Sequence, residues 1–277
     1  MKNYLTIAAL LYAGLSFAGE SVDTVLTKVR DRNDGHDYVS QLKLVNKTEG
    51  RMVNERQMLM LQKDIDTDEV MVLAVQAPVD VRDVSFLIKT YQEAKGEEDE
   101  QWMFLPAFRK VRRISSQDKR GAFMGSEFEY FDLDKLRVSD FNSKILREEK
   151  VGERPAVVIE RIPVSQDVIN KSGYHRVIIW VDKEREIVLR QDYYNAKGIL
   201  FKRQHTESVK HIQNIWTIMH SVMDNLVEGK SSELIYNQTQ YNVGLGEQLF
   251  RKGKLKRGYK MSDLPDSVSF STTQENK

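Results

Sequence analysis

About a dozen stretches of this chain alternate in polarity with a period of two, and short turns separate several of them. That pattern constrains the fold more than any other feature, because successive side chains on a strand point to opposite faces. The stretches run 38–45, 51–62, 70–76, 84–90, 101–105, 127–131, 156–162, 174–181, 186–194, 200–205, 216–223 and 232–241, and they are rich in β-branched and aromatic residues. Asp182-Lys183-Glu184 separates two of them and Asn195-Ala196-Lys197-Gly198 the next two. Links that short join antiparallel neighbours, since parallel strands need long crossovers. In Glu127-Phe128-Glu129-Tyr130 the carboxylates fall on one face and the rings on the other, and Leu42 and Leu44 flank Lys43 in the same way. One face therefore meets water and the other something apolar. A twisted sheet of that many strands closes, or half closes, around whatever fills its concave side. The expected class is mainly β, built on a single curved antiparallel sheet.

An amphipathic helix precedes the sheet. Val22, Val25, Leu26 and Val29 form one stripe, Ser21 caps it and Asn33-Asp34-Gly35 ends it. Upstream, Lys2, an apolar run from Leu5 to Ala13, and the small residues Ser16 and Ala18 fit an export signal cut after Ala18. The run is shorter than the roughly 20 residues that span a bilayer. A lipid-modified start would need a cysteine, and the chain has none. The division expected is a signal peptide over 1–18, one folded domain over 19–262 and a polar tail over 263–277. The mature protein is expected to be exported, soluble and not lipid-anchored.

Little in the sequence points to catalysis. Zero cysteines exclude thiol chemistry, and the five histidines show no metal-ligand spacing with supporting carboxylates. Gly244-Leu245-Gly246 lacks the third glycine and the acidic partner of a phosphate loop, so it reads as a turn or helix entry. Glu127 and Glu129 are spaced for a solvated strand face rather than a catalytic pair. No enzyme activity, metal or cofactor is expected. With 42 Lys and Arg against 41 Asp and Glu, the chain lacks the cation surplus of a dedicated nucleic-acid binder. Arg251, Lys252, Lys254, Lys256, Arg257 and Lys260 form an acid-free cluster, readable as a docking strip for an anionic membrane surface or as a solvated tail.

The unusual stretch is 101–131, QWMFLPAFRKVRRISSQDKRGAFMGSEFEYF, where aromatic blocks enclose a run of cations. One reading is two strands with a solvated basic loop between them. The other is the mouth of an apolar cavity. In it Trp102, Phe104, Phe108, Phe123, Met124, Phe128 and Tyr130 line or gate the hollow, while Arg109, Arg112, Arg113, Lys119 and Arg120 meet head groups or an acidic partner. Segment 121–126, with Gly121 and Gly125 around Ala122, Phe123 and Met124, is either a hinged apolar flap or a plain connecting loop.

The same stretch, with Leu105-Pro106, the basic run through Arg113, Ile114-Ser115-Ser116 and Phe123-Met124-Gly125-Ser126, resembles the LolA-like outer-membrane lipoprotein-sorting family. Further matches are Arg176-Val177-Ile178-Ile179-Trp180-Val181, Gln191-Asp192-Tyr193-Tyr194, Ile215-Trp216 and Tyr241-Asn242-Val243-Gly244-Leu245. The resemblance implies an unclosed β-barrel with helices plugging its concave face and an apolar cavity that shelters acyl chains in the periplasm. It implies lipid or lipoprotein acyl chains as cargo and transient contact with membrane surfaces. It also implies an inner-membrane exporter of the resistance-nodulation-division class as partner. A rival function is a non-enzymatic module that docks on such an exporter through the basic loop without carrying lipid.

Overall fold

The computed structural model describes residues 20–270, so the export-signal reading of 1–18 lies outside the described residues. Ser21 caps helix α1 (Val22–Arg30) by accepting the Thr24 amide, and Val25 and Leu26 on its apolar stripe are buried. The first strands are β1 (Asp37–Thr48), β2 (Arg51–Ile65), β3 (Asp68–Ala77), β4 (Ser85–Thr90), β5 (Glu100–Leu105) and β6 (Lys110–Ile114). After a long irregular segment come β7 (Phe141–Val151), β8 (Arg154–Pro163), helix α2 (Gln166–Ser172), β9 (Arg176–Asp182) and β10 (Ile187–Tyr194). The sheet ends with β11 (Leu200–Ile212), β12 (Ile215–Asn225) and β13 (Lys230–Tyr241).

All 13 strands form one antiparallel sheet in the order β6-β5-β4-β3-β2-β1-β13-β12-β11-β10-β9-β8-β7. The chain starts in the middle of the sheet, walks outward to the edge strand β6, re-enters at the opposite edge strand β7, and walks back until β13 lies beside β1. The edge strands do not pair with each other, so the sheet curls without closing, as expected of an unclosed barrel. The segment between β6 and β7 must therefore cross the opening. It does so as short 3₁₀ turns that drop Phe123 and Phe128 into the concave core beside α1.

Strand alternation divides the apolar side chains between two faces. Leu42, Leu44, Met58, Leu73, Phe86, Ile159 and Ile179 point inward to α1 and the crossing segment. Leu59, Leu61, Val72, Leu87, Trp102 and Phe104 point outward, where the chain after β13 covers them with Leu249, Phe250, Leu255 and Tyr259. This C-terminal strap is pinned at its start. The buried Asp37 carboxylate accepts the amides of Val243, Gly244 and Leu245 at 2.7, 3.2 and 2.9 Å, and Gly244 supplies the left-handed turn at φ +80°. Leu264 is buried against the same outer cluster, and Val268 and Phe270 pack on it. On the other half of the convex face, arginines lie over rings instead, with Arg190 4.3 Å from Trp180 and Arg185 4.4 Å from Trp216.

The sequence reading departs from the sheet in two ways. Residues 127–131 are no strand: only an isolated bridge joins Ala122 to Glu129, and Tyr130–Leu133 is a 3₁₀ turn capped through Glu129 and Asp132. The two strands without a period-two signal, β6 and β7, are the two sheet edges.

Candidate functional site

The concave side is not packed solid. Between the sheet and the elements laid across it lies a cavity of about 310 Å³, at the lower end of the range of small-molecule pockets. Its wall is built by inward positions of neighbouring strands: Leu42 on β1, Met58 and Met60 on β2, Met71 and Leu73 on β3, Leu234 and Tyr236 on β13. Three of these are methionines, whose flexible thioethers shape themselves to varied apolar guests. Phe123 and Phe128 close one side. Polar groups stand in the same lining, including Arg32, Asp34, Glu69 and Lys135, and Lys135 reaches Glu69 at 2.5 Å and Asp34 at 3.5 Å.

A second cavity of about 170 Å³ lies back to back with the first, the two sharing Val29, Asp132, Lys135, Leu136 and Gln204 as wall. Charged side chains dominate it. Lys119 Nζ meets Asp134 at 2.7 Å and the Asp99 carbonyl at 2.8 Å, and Arg137 meets Asp99 at 2.9 Å. Beside this wall Lys202 holds Glu129 at 2.8 Å, and the Tyr174 hydroxyl donates to Asp132 at 2.9 Å. Burial, reinforced by the charge of Asp132, pushes the Glu129 carboxyl up to about 7 against the pull of Lys202. Burial and the neighbouring Asp134 push Asp99 up to about 6.

Of the residues expected to line or gate a hollow, Phe123 and Phe128 do so. Met124 and Tyr130 pack behind them on the inner cluster, with Tyr130 5.9 Å from the Phe123 ring. Trp102 and Phe104 do not line it: they occupy outward positions of β5 beneath the strap, and Lys252 lies 3.5 Å over the Trp102 ring. Phe108 is 69% exposed on the turn before β6. Alternation accounts for the difference, since Met103 and Leu105 take the inward positions on β5.

Arg109, Arg112, Arg113 and Arg120 are exposed, with Arg113 3.0 Å from Glu100. Lys119 is not available to a head group: it is buried in its pair with Asp134. Segment 121–126 is stitched down, the Phe123 amide donating to the Phe128 carbonyl at 2.7 Å and Ser126 Oγ to the Phe123 carbonyl at 2.6 Å. Glu127 and Glu129 do not share a solvated face: Glu129 is turned inward onto Lys202, while Glu127 accepts from Asn225 at 2.8 Å. Among the described residues no cluster of His, Asp and Glu could hold a metal ion, and no helix is long and apolar enough to cross a membrane.

The comparisons with known proteins agree with this architecture. A family model described only as an uncharacterized protein matches residues 67–257. An outer membrane lipoprotein-sorting protein domain from Vibrio parahaemolyticus superposes with a TM-score of 0.76 at 29% identity, covering 85% of this chain and 98% of that one. A DUF1329 family protein from Desulfovibrio piger gives 0.77 at 25% identity over 84% of this chain and 97% of its own. A LolA superfamily protein from Nitrosomonas europaea shares the fold, with a TM-score of 0.64 at 17% identity over 85% of this chain and all of its own. No curated protein matches the chain.

Proposed function

Since the chain belongs to the family whose model spans residues 67–257 and is similar over most of its length to an outer membrane lipoprotein-sorting protein domain with the LolA-like fold, we propose that it is a non-enzymatic periplasmic carrier that shelters lipid, or the acyl chains of lipoproteins, and passes them between envelope membranes. The observation that carries this reading is the divided cavity. A hollow of about 310 Å³ walled by Leu42, Met58, Met60, Met71, Leu73 and Leu234 loses dispersion contacts that side chains could have filled, and a hydrocarbon tail restores them. Burying one methylene is worth about 0.8 kcal/mol, so a chain of a dozen contributes on the order of 10 kcal/mol before the cost of association. Such binding is tight enough for transit and needs help for release, which fits hand-over to a membrane or a membrane-bound partner.

Delivery needs a surface that touches a bilayer. Neighbouring hairpin ends on one rim expose Met52, Val53, Ile199, Leu226 and Val227, and the amide of Glu49 bonds the Gly229 carbonyl, tying two of these turns together. The exporter-docking reading draws on a different feature. On edge strand β6, Lys110, Arg112 and Arg113 are exposed beside Arg109, a cationic strip with one unpaired backbone edge that suits an acidic periplasmic domain of a resistance-nodulation-division exporter.

The test is to produce the protein with export to a bacterial periplasm, purify it without detergent, and analyse an organic extract by mass spectrometry alongside uptake of a fluorescent fatty acid. The carrier reading expects co-purified lipid or saturable uptake, and loss of both in Met71→Trp, which pushes an indole into the hollow. An empty protein that takes up no fatty acid refutes it and leaves the docking role.

A further inference from the structure

Two guanidinium groups in the cavity walls have no carboxylate partner among the described residues. Arg32, in the larger cavity, donates to the Trp216 carbonyl at 2.8 Å and is half-buried, so water reaches its charge. Arg161, in the smaller cavity, is only 5% exposed. It stands on β8 on the same inward face as Val157 and Ile159, opposite Val177 of β9. Its guanidinium lies 4.2 Å over the Phe141 ring and donates through Nη2 to the Arg137 carbonyl at 2.6 Å. Its Nε is buried and has no acceptor.

The carboxylates close enough to compensate Arg161 are already committed. Asp140 pairs with Lys171 at 2.9 Å, and Glu93 pairs with Arg30 and accepts the Ser139 amide at 2.6 Å. Every other cation in this lining has a carboxylate: Lys119 has Asp134, Arg137 has Asp99, Lys135 has Glu69 and Lys171 has Asp140. Those pairings also neutralise acids that would repel an incoming anion. Asp132, bonded to the Tyr174 hydroxyl, is pushed up by burial and carries charge reluctantly. Burial draws Arg161 down to about 10, which leaves it a cation at neutral pH. A buried, uncompensated cation with a free N–H beside an empty volume is costly to the fold alone and ready for a ligand anion.

We propose that the smaller cavity is a head-group site, in which Arg161 receives the carboxylate or phosphate of an anionic amphiphile whose hydrocarbon tail lies in the larger cavity. This rests on the carrier reading and adds the class of cargo: a singly tailed or similarly slender anionic lipid, oriented with its head inward at β8. The shared wall at Val29, Leu136 and Gln204 is where the head and tail regions meet. Arg supplies a planar set of donors that suits both anions, which a lysine at the same position would meet only as a point charge.

The experiment is displacement of a fluorescent fatty acid at pH 8 by oleate, oleyl phosphate and oleyl alcohol, which share one tail, and by inorganic phosphate. The wild type is expected to bind the two anions at least about tenfold more tightly than the alcohol, the scale of one charge-assisted hydrogen bond. Arg161→Gln is expected to erase that preference while binding the alcohol normally, which also shows that the variant is folded. Arg161→Lys is expected to keep part of the preference. No preference in the wild type, or a preference that survives in Arg161→Gln, overturns the head-group site. Thermal stabilisation by inorganic phosphate that disappears in Arg161→Gln, without a preference among the oleyl ligands, assigns the site to a free anion and overturns it too. If none of the oleyl ligands binds, the carrier reading itself fails.

Discussion

Removing the Phe123 ring separates a wall of the hollow from an ordinary core residue. Phe123 is fully buried, stands edge-on to Phe86 at 5.0 Å and to Tyr130 at 5.9 Å, and lines the larger cavity. Phe123→Ala should cost about 3–5 kcal/mol, the range for a buried aromatic truncated to alanine. The lower half is expected here, because one side of the ring faces empty volume and gives up fewer contacts. At about 2–4 °C per kcal/mol for a chain of this size, 3–4 kcal/mol corresponds to a fall in Tm of roughly 6–16 °C. The backbone bonds of 121–126 do not involve the ring, so the loop keeps its place and the vacated space joins the hollow. The variant should then favour longer or bulkier acyl chains than the wild type in a fatty-acid displacement series. Trp102→Ala should destabilise by about 3–5 kcal/mol without moving that preference, because its ring lies on the outer face. A Tm within 2 °C of wild type would refute the buried plug, and an unchanged chain-length profile in Phe123→Ala would refute its role as a cavity wall.

Three further outcomes follow from the buried charges. Asp37→Ala removes the acceptor of three strap amides, so it should cost about 2–4 kcal/mol, each such charged bond being worth about 1.5–3 kcal/mol and not additive, and open 243–270 to limited proteolysis; an unchanged cleavage pattern would count against the pin. Lys202→Met should cost about 3–5 kcal/mol in urea unfolding by stranding Glu129, and adding Glu129→Leu should recover most of it, the opposite of two independent losses. The Tm should peak near pH 5. Glu129 and Asp99 have folded values of about 7 and about 6 against ordinary values of 4.5 and 3.8, so the folded state holds more protons there, and stability falls as pH rises through those windows. Asp192, Asp182 and Glu233 are held low by arginine or lysine partners, and their contribution is lost on the acid side, as pH falls below about 4. A Tm that climbs steadily from pH 5 to 8 would contradict this assignment.

The sheet was legible where its strands are interior, because their inward side chains repeat every second residue against the core, and it was illegible at the edges, where that repeat is broken. β6 reads Lys110-Val111-Arg112-Arg113-Ile114, and most of β7 is exposed with charges on both faces. Edge strands carry charge that blunts pairing with other chains, and that charge erases the period-two signal. Segment 127–131 misled in the opposite direction: its alternation reflects a pair of acids and a pair of rings around a 3₁₀ turn, with Glu129 buried on Lys202 rather than solvated. Which face of β5 looks inward could not be read from Trp102 to Leu105 alone, since both faces are apolar and the strap covering the outer one lies far along the sequence. Arg161 did leave a trace, as the inward-phase arginine of the run 156–162, but only the spatial commitments of Asp140 and Glu93 reveal that it lacks a partner.

The hollow itself follows from the route of the chain. Because β1 and β13 are neighbours at the centre, the two outermost strands are consecutive in sequence, and the link between them has to span the open side of the curl. A link held at both edges cannot settle on the floor of the sheet along its whole length. It reaches the floor where Phe123 meets Phe86 of β4 and where Glu129 meets Lys202 of β11, and the two cavities remain beneath the rest of it, with Asp132, Lys135 and Leu136 in the wall they share. The outer face has no such constraint: its strap follows β13 freely, is pinned by Asp37, and packs down residue by residue. Filling the inner face would require larger side chains at Met58, Met60, Met71 and Leu73, positions where this chain instead carries flexible or medium-sized ones. The empty volume is thus imposed by connectivity and preserved by side-chain choice, and the second of these is what a lipid carrier needs and a docking module does not.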